Sequence, residues 1–216
     1  MNYLLSLLVA YLLGSIPTAF FVVLLFCGVD VRSGESGNMG ALNTLRMVKK
    51  HKGLLLAFLA FLIVWVVDMT KAVLAVVIAQ KLITNFTQAV TLGTFFAVLG
   101  HNYPIWLKGK GGRGAASLMG VMIFFNPLLF IWWIATIFLT SEIIEVFIRL
   151  FSRKKINVKM IAYAASEQIL GRLIGEVIGI WVVYVVDRRL FYPVLLATFL
   201  IIIRHWTRFK KQFDLP

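Results

Sequence analysis

The chain has 216 residues, of which 61% are hydrophobic and 14% charged. A soluble globular domain is about 45–50% apolar and about 25% charged, and here the excess comes in long runs, which places the chain in the integral membrane class. The formal net charge of +13 is carried by residues flanking those runs, so it reads as membrane orientation and contact with anionic headgroups rather than nucleic-acid binding, and the lone Cys27 excludes an intramolecular disulfide.

The first apolar block covers 3–29. No Lys or Arg precedes it and it outruns the hydrophobic region of a signal peptide, so a retained span is expected. After it comes Ser36-Gly37-Asn38-Met39-Gly40-Ala41-Leu42-Asn43-Thr44-Leu45-Arg46, small, polar and Gly-rich between two apolar blocks. Gly37 and Gly40 let the backbone turn and present N–H groups. Ser36, Asn38 and Asn43 can hydrogen-bond phosphate or hydroxyl oxygens, and Arg46 offers a two-pronged donor for phosphate. A helix-capping turn at the membrane interface would use similar residues.

The second block, 53–79, carries Asp68 and Lys71 near its middle. Ionisable groups at that depth are expensive, and three residues apart on a helix they share a face and can pair. The third block, 87–107, contains Gly100-His101-Asn102-Tyr103-Pro104, with His101 near a helix end. It runs into Lys108-Gly109-Lys110-Gly111-Gly112-Arg113-Gly114, where glycines alternate with cations in a manner suited to an anion. The spacing is not that of a P-loop.

The block 115–148 is long for one span and short for two, with Asn126-Pro127 as its only break. The block 160–203 is interrupted by Asp187-Arg188-Arg189 and reads as two spans. Within it Gly171, Gly175 and Gly179 line one helix face, expected to pack against another helix of the chain or, alternatively, a second copy. Glu176 and Arg172 stand four apart and can pair. The segment 149–159 is basic and hydrophilic, a candidate surface loop. Arg204 and His205 follow the last span.

Charge selects among these topologies. Seven spans with the N-terminus outside place 17 basic residues on the inner side and three, Lys81, Arg188 and Arg189, on the outer side. The expectation is therefore an all-α polytopic bundle of about seven transmembrane helices, a single membrane domain over 1–216, with both Gly-rich motifs facing the cytoplasm.

In this order the motifs resemble the PlsY family, the bacterial acyl-phosphate:glycerol-3-phosphate acyltransferases. The family's Ser-Gly-Asn-x-Gly-Ala-x-Asn-x-x-Arg segment is matched by Ser36 through Arg46. Its Gly-His…Pro and Lys-Gly-Gly-Lys-Gly segments are matched by Gly100, His101, Pro104 and by Lys110, Gly111, Gly112, Arg113, Gly114. Asp68 and Lys71 match its Asp-x-x-Lys, Arg204 and His205 its closing Arg-His, and Gly14-Ser15-Ile16-Pro17-Thr18-Ala19 looks like its first span.

The resemblance implies acyl transfer from acyl phosphate to the 1-hydroxyl of glycerol 3-phosphate, giving lysophosphatidate and phosphate, in a bacterial inner membrane and without metal, cofactor or acyl-CoA. It makes Ser36, Arg46 and His205 the catalytic candidates. Gly37, Asn38, Gly40, Asn43, Lys110, Gly111, Gly112, Arg113 and Gly114 would bind the substrates' phosphates, with Asp68, Lys71 and His101 in support. Acyl phosphate is an activated anhydride, so positioning and charge stabilisation suffice. A substrate phosphate oxygen or His205 would take the hydroxyl proton.

Departures from the pattern are Arg113 for the second lysine, Arg208 for an asparagine, Glu35 for a glycine and Ala72 for a glycine. The alternatives are a non-catalytic phosphate- or phospholipid-binding membrane protein and an anionic-metabolite transporter. The second would be favoured by internal inverted repeats, which the sequence does not display.

Overall fold

The computed structural model describes residues 2–34, 36–153, 155, 156, 160, 161, 163 and 168–212, without the side chains of 207, 208 and 210–212. Glu35, the Arg208 side chain and much of the expected loop at 149–159 lie outside the described residues. Helices α1 (Tyr3–Gly14) and α2 (Thr18–Cys27) lead through a 3₁₀ turn, Val31–Ser33, to α3 (Ala41–Lys52). Then follow α4 (Leu54–Leu82), α5 (Phe86–Asn102), a 3₁₀ turn Ile105–Leu107, α6 (Ala115–Phe125) and α7 (Pro127–Phe151). Helix α8 (Ile169–Val186), a 3₁₀ turn Arg188–Leu190 and α9 (Phe191–Gln212) complete the described chain.

Among the described residues, five segments are long and apolar enough to cross a membrane: Tyr3–Cys27, Leu54–Leu82, Pro127–Phe151, Ile169–Val186 and Arg188–Trp206. Their outward faces carry large apolar side chains such as Leu25, Leu55, Trp181 and Val185, as lipid contact requires. Helices α5 and α6 are shorter, with 17 and 11 residues. At 1.5 Å per residue α6 reaches about 16 Å, roughly half the thickness of a bilayer's hydrocarbon core.

The expected span 3–29 is two helices in line. Pro17 has no N–H to offer the preceding turn, and the helix stops at Gly14. Gly14 itself is required by packing, since a Cβ there would lie 2.1 Å from the Ala97 carbonyl oxygen of α5. The break is held by α4: Lys71 Nζ donates to Ile16 O at 2.9 Å, and Thr18 Oγ1 donates to Asp68 Oδ1 at 3.1 Å.

The block 115–148 divides at Asn126-Pro127. Asn126 Oδ1 accepts from Leu129 N at 3.0 Å and caps α7, with Pro127 in its first turn. Asn126 Nδ2 also donates to Asp187 Oδ2 at 3.2 Å, tying the start of α7 to the end of α8. The glycine face packs within the chain: Cβ atoms at Gly171 and Gly175 would fall 2.6 Å from Ser141 Cα and 2.8 Å from Ile137 Cα, both on α7.

Contacts fix the relative directions. Tyr3 bonds Gln88 and Gly14 abuts Ala97, so α1 and α5 run the same way. Gly93 of α5 abuts Val76 of α4, and Gly114 at the start of α6 abuts Asn102 at the end of α5. Both Gly-rich motifs therefore follow helices that run the same way.

Candidate functional site

The first motif folds onto the entrance to α3. Asp30 caps the 3₁₀ turn by accepting from Arg32 N at 2.8 Å, and its bond to the Arg32 guanidinium holds its carboxyl below the usual range. The chain turns at Gly37, where φ is +57°. Asn38 N donates to Ser36 Oγ at 3.4 Å, and Gly40 caps α3, so the N–H groups of the first turn face the loop. Asn43 is buried and braces this loop: its Nδ2 donates to Val31 O at 2.8 Å and to Asn38 O at 2.9 Å. Its amide donors are thus engaged within the loop, a role that spacing alone did not reveal. Ser36, Asn38 and Arg46 are half-buried.

The second motif lies back on the end of α5. Gly112 N donates to His101 O at 2.9 Å. A Cβ at Gly111 would stand 2.2 Å from His101 O, and one at Gly112 would stand 2.0 Å from His101 Nε2. These glycines are therefore demanded by close approach, while Gly114, at φ +85°, also needs the left-handed region. Lys110 is exposed and Arg113 half-buried.

Arg204 of α9 fastens this loop. Its Nε donates to Gly112 O at 3.1 Å and its Nη2 to Gly111 O at 2.9 Å, and its guanidinium lies 5.0 Å from the Tyr103 ring centroid. Tyr103 O in turn accepts from Tyr11 Oη at 2.7 Å. The sequence marks the pair Arg204-His205, with His205 as the catalytic candidate; the side chain that grips the Gly-rich loop is Arg204. The only sequence signal was a cation directly after a span.

Asp68, Lys71 and His101 form one buried cluster. Lys71 Nζ lies 2.8 Å from Asp68 Oδ1, as the i, i+3 spacing predicts, and 3.1 Å from His101 Nδ1. Asp68 is the central residue of the 29-residue α4, so this cluster sits at mid-helix. Next to it a small cavity is lined by Ser15 and Thr18 of the broken span, Met39 of the first motif, Gly112 of the second, and Asp68 and His101. The two motifs and the buried cluster therefore meet at one point.

His205 is buried, with Nδ1 3.0 Å from Ile201 O, one turn back on α9. A carbonyl oxygen only accepts, so Nδ1 is the donor in that bond. Glu176 on α8 is buried, its Oε2 has no hydrogen-bond partner among the described residues, and the positive charges nearest in effect are those of Arg172 and Arg113.

Comparison with known proteins bears on this geometry. Residues 4–214 match the family model for glycerol-3-phosphate acyltransferase. The chain belongs to that family. It is 32% identical over 211 residues to the glycerol-3-phosphate acyltransferase of Coxiella burnetii, covering 98% of this chain and 94% of that one. It is 42% identical over 123 residues to glycerol-3-phosphate acyltransferase 1 of Dehalococcoides mccartyi, a match spanning 57% of this chain and 55% of that protein. Its fold resembles the crystal structure of PlsY (YgiH), an integral membrane glycerol 3-phosphate acyltransferase, in its glycerol 3-phosphate form. The TM-score is 0.64 at 24% identity, over 99% of this chain and 93% of that one. The all-helical architecture is thus that of an integral membrane protein of this family.

Proposed function

We propose that this protein transfers a fatty acyl group from acyl phosphate to the 1-hydroxyl of glycerol 3-phosphate. The observation that carries this reading is the convergence of Met39, Gly112 and His101 on one cavity, which puts the two basic, Gly-rich motifs face to face. Both substrates bear a phosphate, and two anion-binding motifs are what such a reaction requires. Ser36, the first turn of α3 and Arg46 would hold one phosphate; Lys110 and Arg113 would neutralise the other.

With a good leaving group already in the donor, the protein's contribution is to align the hydroxyl with the acyl carbon and to stabilise charge. The hydroxyl proton passes to a phosphate oxygen or to His205 Nε2. Seven crossings, with the N-terminus outside and both motifs at the cytoplasmic side of a bacterial inner membrane, match the 17 to 3 bias of basic residues. The acyl chain then lies among the spans.

The test is phosphate release by purified protein in detergent, given palmitoyl phosphate and glycerol 3-phosphate. Release should need both substrates and should fall at least about 100-fold in Arg46→Ala, whose protein stays folded, consistent with removal of a charged phosphate ligand. No release from well-folded wild type would overturn the reading in favour of a binding role.

A further inference from the structure

We propose that His101 and Ser15 form a two-donor subsite, at the break in the first span, that receives the acyl carbonyl oxygen of the donor substrate. The proposal rests on the acyl-transfer reading above and adds residues to its machinery.

Three observations carry it. The first is the tautomer of His101. An ammonium has three donors, and Lys71 Nζ meets three acceptors: Asp68 Oδ1 at 2.8 Å, Ile16 O at 2.9 Å and His101 Nδ1 at 3.1 Å. Nδ1 is therefore an acceptor and the proton of the ring is on Nε2. Nε2 is the atom nearest to a Cβ built on Gly112, so it faces the wall of the cavity. The charged groups around this ring are Lys71, Asp68 and Arg204.

The second observation is Ser15. Its side chain is fully buried, lines the same cavity, and its Oγ has no hydrogen-bond partner among the described residues. Leaving a buried hydroxyl without a partner is destabilising, so an acceptor belongs there when the site is filled. The third is size. The cavity has room for about one water-sized group, which suits a single oxygen atom.

The carboxylate of Asp68 also lines the cavity, but Lys71 and Thr18 both engage its Oδ1. Its charge is compensated before a substrate arrives. The neutral donors Nε2–H and Oγ–H are then what an incoming oxygen meets.

The chemistry balances with these groups alone. The hydroxyl oxygen of glycerol 3-phosphate bonds to the acyl carbon, and the C=O π pair moves onto the carbonyl oxygen, where His101 Nε2–H and Ser15 Oγ–H receive it. The pair then returns to re-form C=O as the bond from acyl carbon to phosphate oxygen breaks. The phosphate leaves with that bond's electrons and carries away the hydroxyl proton.

Ser15→Ala separates this role from folding, because Ser15 Oγ has no hydrogen-bond partner among the described residues. Its thermal midpoint should match wild type, its KM for glycerol 3-phosphate should stay within about twofold, and kcat should fall about 100- to 1,000-fold, as loss of one oxyanion donor predicts. A kcat within twofold of wild type overturns the proposal.

Selective ¹⁵N-histidine labelling gives an independent readout, since the chain has three histidines and His101→Gln identifies the resonance. The shifts should show a neutral Nε2–H ring, and palmitoyl phosphate should move the Nε2 signal. An Nδ1–H ring, an imidazolium, or an Nε2 signal unmoved at saturating palmitoyl phosphate would overturn it, the last meaning that the donors hold a buried water only. Wild type that releases no phosphate would refute the acyl-transfer reading instead, and the Nε2 response would then still decide the subsite.

Discussion

Removing Arg204 tests whether the second motif depends on α9. Arg204→Ala deletes two charge-assisted hydrogen bonds, to Gly111 O and Gly112 O, and the stack on Tyr103. At about 1.5 kcal/mol for each bond, plus about 0.5–1 kcal/mol for the stack, the gross loss is about 3.5–4 kcal/mol. Arg204 is half-buried, so water recovers part of it, and about 2–3 kcal/mol remains. Expressed as misplacement of the Gly-rich loop, that is about a 30- to 150-fold fall in kcat/KM, at 1.36 kcal/mol per decade. Arg204→Lys keeps the charge but reaches only one carbonyl, and should fall about tenfold. Steady-state phosphate release with both substrates varied, run beside thermal unfolding in detergent, reads both effects. A kcat/KM for Arg204→Ala within threefold of wild type would refute the clamp.

Lys71→Met leaves Asp68 buried without its ammonium and frees Ile16 O and His101 Nδ1, so the thermal midpoint in detergent should drop by the equivalent of about 3–5 kcal/mol. Adding Asp68→Asn should recover part of that loss; a double variant as unstable as the sum of the singles would deny the pairing. At the opposite end, Asp187 has its pKa lowered by the Arg189 side chain, with Asn126 also donating. A group whose pKa is depressed in the folded state stabilises above its ordinary value and loses that contribution as pH falls through the depressed one. The wild-type midpoint should therefore fall more steeply than that of Asp187→Asn on acidification from about pH 5 to about pH 3. Parallel curves for the two proteins would show that Asp187 adds nothing.

The helical class and the pairing of Asp68 with Lys71 were legible from local spacing, and the division at Asn126-Pro127 from that break taken with the charge bias. A carboxylate and an ammonium three apart on a helix meet whatever else surrounds them. An Asn-Pro step inside an apolar run caps a new helix. Long-range relations were not legible. Asn43 was assigned to phosphate because amides suit it, yet its donors brace Val31 and Asn38. The glycines of the second motif were read as suiting an anion, whereas Gly112 gives its N–H to His101 O and has no Cβ because His101 leaves no space. Arg204 looked like a topology signal because its partners lie 92 and 93 residues away.

The depth of the cluster ties these features together. Asp68 lies at the centre of α4, and the loop after α5 comes back to that level because α5 ends at Asn102 and α6 is only 11 residues long. Irregular backbone at such depth is tolerated only where protein or a polar cavity covers it. Here Arg204 takes the carbonyls of Gly111 and Gly112, Lys71 takes that of Ile16, and Tyr11 takes that of Tyr103. Each of these donors reaches the loop or the broken span from another helix. The carbonyls they satisfy exist because a helix was interrupted, and the interruptions make the cavity. A continuous α1–α2 would have no cavity lined by Ser15 and Thr18, and Lys71 would have no carbonyl to hold. An enzyme joining a lipid-soluble acyl chain to a water-soluble phosphate needs polar groups fixed at this level, with apolar helix faces around them. The broken first span, the short α6 and the buried Lys71 are three parts of one solution to that requirement.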